Sequence, residues 1–158
     1  MDTERTITVT VNGTSYTRSV PVRQLLSEFI RDGLGLTGTH VGCEHGVCGS
    51  CTVVLDGQTV RSCLMLAAQA NGAAIKTVEG VARGEALHPI QEAFWQEHGL
   101  QCGFCTSGML LTVEEFLSTK KNPTEDEIRH AISGNLCRCT GYHNIVKAVE
   151  AADRLWER

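Results

Sequence analysis

Eight cysteines in a chain of 158 residues limit what this sequence can fold into more than any other feature. They fall into two groups of four, one in each half: Cys43, Cys48, Cys51 and Cys63, then Cys102, Cys105, Cys137 and Cys139. In a secreted chain such a count suggests disulfides; in an intracellular one it indicates metal or redox work. The polar start Met1-Asp2-Thr3-Glu4-Arg5 passes directly into strand-like alternation, which predicts no signal peptide. No apolar run approaches the length of a membrane span. A cytoplasmic location is therefore expected, and with it the metal reading.

Cys43-x4-Cys48-x2-Cys51, followed by Cys63, has the plant-type [2Fe–2S] ferredoxin spacing. Two irons bridged by two sulfides need four thiolates converging on a compact object. Three from one loop and one from elsewhere meet that need. The loop must also turn its backbone N–H groups toward the sulfurs, because those hydrogen bonds stabilise the negative cluster and tune its potential. Gly46 and Gly49 permit the dihedral angles this requires. The second group centres on Gln101-Cys102-Gly103-Phe104-Cys105, just ahead of an apolar-periodic run, and returns as Cys137-Arg138-Cys139.

Two other readings compete. A zinc-stabilised binding module would use short C-x2–4-C knuckles. Only Cys102/Cys105 has that form, and Cys137-x-Cys139 is too tight for it. A thioredoxin-like dithiol at Cys102/Cys105 leaves Cys137 and Cys139 without a role. Two clusters account for all eight. The bulk numbers agree: with apolar residues at 42% and aromatics at 5%, two half-size cores gain from metal staples. The formal charge of −4 argues against nucleic-acid binding, and each tetrathiolate [2Fe–2S] cluster adds about −2.

The pattern along the chain changes midway. Ile7, Val9 and Val11 alternate with threonines as one strand, Asn12-Gly13 is a hairpin turn, and Thr14–Val20 returns with Tyr16 and Val20 on one face. Pro21 is expected at a helix start, with Leu25, Leu26, Phe29 and Ile30 recurring at helical spacing to about Arg31. Gly33 and Gly35 end that helix. Residues 37–51 read as an irregular loop, 52–55 and 59–62 as strands about Asp56-Gly57, 64–70 as a short helix, Asn71-Gly72 as a turn and 74–78 as a last strand. Gly80 and Gly84 mark a linker. Four amphipathic helices follow: one opened by Pro89 with Ile90, Ala93 and Phe94, one striped by Met109, Leu110, Val113, Phe116 and Leu117, one capped by Thr124 and Glu127, and one striped by Ile145, Val149, Ala152 and Trp156. The fold class is therefore α+β, divided into residues 1–79 and 80–158.

The chain resembles the small iron–sulfur subunit of the molybdenum hydroxylases, the family of xanthine dehydrogenase and aerobic carbon monoxide dehydrogenase. The resemblance is carried by Val41-Gly42-Cys43-Glu44-His45-Gly46-Val47-Cys48-Gly49-Ser50-Cys51-Thr52-Val53, by Ser62-Cys63-Leu64 and by Thr77-Val78-Glu79-Gly80-Val81. It continues in Gln101-Cys102-Gly103-Phe104-Cys105-Thr106 and in Asn135-Leu136-Cys137-Arg138-Cys139-Thr140-Gly141-Tyr142. It implies an N-terminal β-grasp ferredoxin-like domain and an all-α four-helix-bundle-like domain, each with one [2Fe–2S] cluster. By resemblance, Cys43, Cys48, Cys51 and Cys63 hold the first cluster, and Cys102, Cys105, Cys137 and Cys139 the second.

The resemblance also implies a hetero-oligomer in which a large subunit holds a molybdopterin cofactor and a medium subunit holds FAD, with electrons passing from one to the other, or to another acceptor, through both clusters. Gln101 and Cys139 match positions close to the pterin. A stand-alone two-cluster ferredoxin is the alternative, but a lone carrier has no need of a helical half. Two positions depart from the common family pattern: Glu44 stands at a frequent glycine and Ser107 at a frequent proline, where it is expected to cap a helix. His45 reads as a solvated loop residue, and Arg138 either as a surface arginine or as a group that offsets cluster charge or reaches a partner's cofactor. His40, His88, His98, His130 and His143 show no metal spacing, and no set of residues for bond-making chemistry on a substrate is present.

Overall fold

The computed structural model describes residues 3–82 and 84–156. Strand β1 (Glu4–Val11) buries Ile7, Val9 and Val11 and leaves the alternating threonines exposed. Each such burial is worth roughly 1.5–3 kcal/mol. Asn12 and Gly13 both take positive φ, 50° and 81°, the turn geometry whose twist matches the flanking strands. Strand β2 (Thr14–Pro21) then returns antiparallel, pairing Val11 with Thr14 and Glu4 with Pro21. Pro21 thus closes a strand instead of opening a helix. β2 lies at the sheet edge, where a missing N–H is tolerated.

The expected helix is present but short. It comprises α1 (Leu26–Glu28) and a π-helical turn over Phe29–Gly33, in which the Leu34 N–H reaches the Phe29 carbonyl at 3.0 Å. Leu26, Phe29 and Ile30 are buried beneath the sheet core. The loop from Thr37 to Cys51 has no regular structure, as its glycines foretell. Strands β3 (Thr52–Leu55) and β4 (Gln58–Arg61) form a hairpin about Asp56 and Gly57, again with positive φ at both. Residues 62–70 form two 3₁₀ turns, Ser62–Leu64 and Ala67–Ala70, where one short helix was expected. The last strand, β5 (Ala74–Lys76), ends earlier than its sequence suggests, because Asn12 ties down Thr77 and a 3₁₀ turn follows at Val78–Gly80. The sheet order is β2-β1-β5-β3-β4, with β5 parallel to β1 and the other neighbours antiparallel.

Of the expected linker Gly80–Gly84, Arg83 lies outside the described residues. Helix α2 (Pro89–Gln96) starts on Pro89, and the His88 ring accepts from the Ile90 N–H. Helix α3 (Thr106–Thr119) begins directly after Cys105. Helix α4 (Glu125–Ile132) carries the reciprocal cap predicted: the Thr124 hydroxyl accepts from the Glu127 N–H at 3.3 Å, and the Glu127 carboxylate accepts from the Thr124 N–H at 2.8 Å. Helix α5 (His143–Leu155) buries Ile145, Val149 and Ala152. Trp156 sits just beyond it and meets His88 edge-on. These helices share one core around Phe94, Met109, Leu117, Ile128 and Ile132. The whole is α+β, a mixed five-stranded sheet followed by helices.

The two halves are joined by polar contacts between the sheet and α3 or the segment after α4. Lys76 pairs with Glu114, Thr59 donates to Glu115, and the Arg61 guanidinium donates to the Gly134 carbonyl at 2.7 Å.

Candidate metal centres

The structure gathers each group of four cysteines, and all eight are free thiols. In the first group Cys43 interacts with Cys48, and Cys51 with Cys63. In the second, Cys102 faces Cys139 at 3.4 Å between sulfurs, and Cys105 faces Cys137. A separation of 3.4 Å is well beyond the ~2.05 Å of a disulfide. The thiols therefore gather as two groups of four, with Cys102 and Cys139 in direct contact. Among the described residues no three or more His, Cys, Asp or Glu side chains converge as a single ion would require. A binuclear cluster asks for two thiolates on each iron, and four cysteines gathered at each site fit it.

The surroundings of the sulfurs favour anions in part of each group. The Cys48 N–H approaches Cys43 Sγ at 3.5 Å. That donor, with the N–H of His45, draws the Cys43 thiol down to about 6. Burial pushes Cys63 up to about 11, with neighbouring Cys51 adding to the effect. In the second group the Phe104 N–H, followed by the Cys139 thiol, lowers the pKa of Cys102, while donation to Cys102 raises that of Cys139. Burial, then Cys137, pushes Cys105 up to about 12. Burial also opposes ionisation of Cys137, but the hydroxyl and N–H of Thr140 outweigh it and lower its pKa. In the second group Cys102 and Cys137 are thus shifted toward the thiolate and Cys105 and Cys139 toward the thiol, whereas metal binding takes all four as thiolates.

Loop conformation makes this possible. Gly46 and Gly49 have φ of 81° and 76°, as the spacing argument requires. A Cβ on Gly46 would meet Leu64 Cδ1 at 2.4 Å, so Leu64 lies over that turn. Glu44, at the position where the family commonly has glycine, also has positive φ, 56°, an arrangement that costs a non-glycine residue roughly 1–2 kcal/mol. Gly103 reaches 81° between Cys102 and Cys105.

Exposure separates the sulfurs. Cys51 and Cys63 are buried, whereas Cys102 and Cys139 are exposed, with exposed Gln101 beside them in the chain. His45 and Arg138 are also exposed, as their reading as surface residues requires. Ser107 does not cap α3. Cys105 holds the cap position, and Ser107 lies buried in the first turn with its hydroxyl 3.4 Å from His40 Nδ1. Several supporting residues escaped the sequence reading. The Tyr142 hydroxyl accepts from the Cys137 N–H at 2.9 Å and donates to the Asn135 carbonyl at 3.3 Å, with Tyr142 itself at φ 68°. Tyr142 ends the segment Asn135–Tyr142 that carries the family resemblance, three residues after Cys139. His40 reaches Phe104, 64 residues away, and nothing local announces that contact.

These features define a two-centre [2Fe–2S] electron carrier. Residues 9–77 match the 2Fe-2S iron-sulfur cluster binding domain family and residues 77–150 match the [2Fe-2S] binding domain family. The chain is 55% identical over 148 residues to the caffeine dehydrogenase subunit gamma of Pseudomonas sp. (strain CBB1), covering 92% of this chain and 89% of that one. It is 54% identical to the nicotine 6-hydroxylase small subunit of Paenarthrobacter nicotinovorans, covering 90% and 86%. Its fold matches a chain in the crystal structure of quinoline 2-oxidoreductase from Pseudomonas putida 86 with a TM-score of 0.94 at 48% identity, covering 97% of this chain and 96% of that one.

The chain belongs to the small [2Fe–2S] iron–sulfur subunits of the molybdenum hydroxylases. Its cofactors are two [2Fe–2S] clusters, and it is the electron-transfer component of an oxidoreductase. Neither the zinc module nor the stand-alone ferredoxin is favoured, since both halves match cluster-binding families and the relatives are named as subunits. Among the described residues no helix is long and apolar enough to cross a membrane.

Proposed function

We propose that this chain links a molybdopterin-bearing large subunit to an FAD-bearing medium subunit, or another acceptor, in a cytoplasmic hetero-oligomer that oxidises a nitrogen heterocycle. Relatives named for caffeine, nicotine and quinoline support that substrate class over the aldehydes named for less similar relatives. Residues 1–79 form the β-grasp ferredoxin-like domain and residues 80–158 the four-helix-bundle-like domain. Cys43, Cys48, Cys51 and Cys63 hold the first cluster, as the pairs Cys43/Cys48 and Cys51/Cys63. Cys102, Cys105, Cys137 and Cys139 hold the second, as Cys102/Cys139 and Cys105/Cys137. A bound [2Fe–2S] cluster supplies a one-electron carrier.

The chain's own residues do the rest. The N–H groups of Cys48, Phe104 and Thr140 hold negative sulfur. Burial of Cys51 and Cys63 keeps water from the inner side of the first site. The Tyr142 hydroxyl fixes the backbone between Asn135 and Cys137.

One observation carries the proposed electron port: Cys102 and Cys139 are exposed together, with exposed Gln101 directly before Cys102. A site that works alone gains nothing from such exposure; one that abuts a partner's cofactor needs it. Gln101 offers both a donor and an acceptor to a heterocyclic cofactor edge. Gln101→Ala is expected to leave both clusters loaded and chemical reduction of the isolated subunit normal. In the assembled complex it should slow reduction of the clusters by substrate. Unaltered substrate reduction would remove Gln101 from the entry port.

A further inference from the structure

We infer that His40 is a positioning residue for the second cluster, reaching across from the half that holds the first. His40 precedes Cys43 by three residues, yet its ring packs on the Cys102–Cys105 loop. Nδ1 lies 2.8 Å from the Phe104 carbonyl oxygen, and the ring stacks on Phe104 with centroids 4.9 Å apart and planes 15° from parallel. A carbonyl oxygen only accepts, so Nδ1 carries the hydrogen in this contact. The Ser107 hydroxyl is a more distant neighbour of the same nitrogen at 3.4 Å.

The ring is placed before it makes this contact. Arg31 Nη1 donates to the carbonyls of Thr37 and Thr39 at 2.8 and 2.7 Å, and the Gly38 N–H donates to Glu79 at 2.8 Å. The Thr39 side chain is buried. The loop carrying His40 is therefore tied from two sides, and little further ordering is needed to bring its imidazole to Phe104.

Phe104, the receiving residue, stands between Cys102 and Cys105 in the chain. Its carbonyl receives His40, while its N–H, on the preceding peptide, lowers the pKa of Cys102. Holding that residue at its carbonyl and its ring restrains the turn that carries its N–H. The neighbouring Gly103 has φ of 81° and no atom within 4 Å of where a Cβ would stand, so side-chain packing does not hold the turn there. An N–H aimed at a ligand sulfur stabilises the more negative, reduced cluster and raises its potential. The inference rests on the proposal that Cys102 is a ligand.

The test is a potentiometric titration of the holoprotein, followed by electron paramagnetic resonance of each cluster separately. Cys48→Ser and Cys102→Ser assign the two signals. His40→Phe keeps a flat ring and loses the N–H; His40→Asn keeps an N–H close to the place of Nδ1 and loses the ring. His40→Phe is expected to lower the potential of the second cluster by about tenfold in its reduction equilibrium, ~59 mV for one electron. The first cluster should not move, and His40→Asn should restore most of the loss. His40→Ala, which introduces no bulk, carries the same expectation as His40→Phe if the phenylalanine variant fails to load both clusters. Equal shifts in both clusters, or no shift in the second, would overturn the inference. If Cys102→Ser retained both clusters, the ligand assignment would fall instead.

Discussion

The backbone N–H of Leu136 donates to the carbonyl oxygen of Cys48 across 2.8 Å. Leu136 directly precedes Cys137, so one hydrogen bond joins a cysteine of the first group to the neighbour of a cysteine in the second. The adjoining contacts serve the same junction. Asn135 Nδ2 donates to the Gly49 carbonyl at 3.2 Å, and Thr112 holds the other end of the Asn135 amide at 3.1 Å. The relative position of the two sites is thus held by one backbone hydrogen bond and by the buried Asn135 amide beside it.

Gly108 tests how tightly that junction is packed. It lies inside α3, where alanine is favoured over glycine by about 1 kcal/mol on helix propensity. A Cβ there would stand 2.2 Å from the Gly49 carbonyl oxygen, and forced overpacking of this kind costs roughly 1–3 kcal/mol. The obstructing atom is backbone, so the clash should win. Gly108→Ala is expected to destabilise the protein by about 1–2 kcal/mol in denaturant unfolding. A stability equal to or above that of the parent would mean that α3 and the cysteine loop are not in close contact.

Cys48→Ser tests the separateness of the two sites. The pairs of the first group involve only Cys43, Cys48, Cys51 and Cys63. Loss of Cys48 should remove one paramagnetic signal and about half the iron, leaving the other signal in place. A folded variant lacking both signals would contradict two independent sites.

Glu127 gives a pH dependence with a definite sign. The Lys120 ammonium and the Thr124 N–H hold its carboxyl down at about 2, against an ordinary 4.5. Because the folded value is depressed, the contribution to stability is complete above pH 4.5 and is lost as pH falls toward 2. The carboxyl carbon of Glu127, followed by nuclear magnetic resonance, should still report an ionised group at about pH 3, and Lys120→Met should return the midpoint toward the ordinary value. Half-protonation near the ordinary value in the parent would show that the capping box and its lysine do not act together.

Local chemistry made much of this molecule legible from sequence. Asn12-Gly13 and Asp56-Gly57 announce their turns because both positions need positive φ, and Thr124 with Glu127 announces a helix start because the reciprocal cap lies within one turn. The cysteine groups were legible because a cluster demands four sulfurs whatever the fold around them. Pro21 misled because its place at a sheet edge depends on β1, a non-local partner. Ser107 misled because its hydroxyl lies buried near His40, from the other half of the chain. Tyr142 and His40 support the sites through contacts that leave no period or spacing in the sequence.

Metal analysis of the purified holoprotein, joined to electron paramagnetic resonance of the reduced state, tests the central claim most directly. Eight cysteines in two groups of four predict about four iron and four acid-labile sulfide per chain, with two distinguishable [2Fe–2S] signals. Stoichiometric zinc in a colourless protein would contradict it.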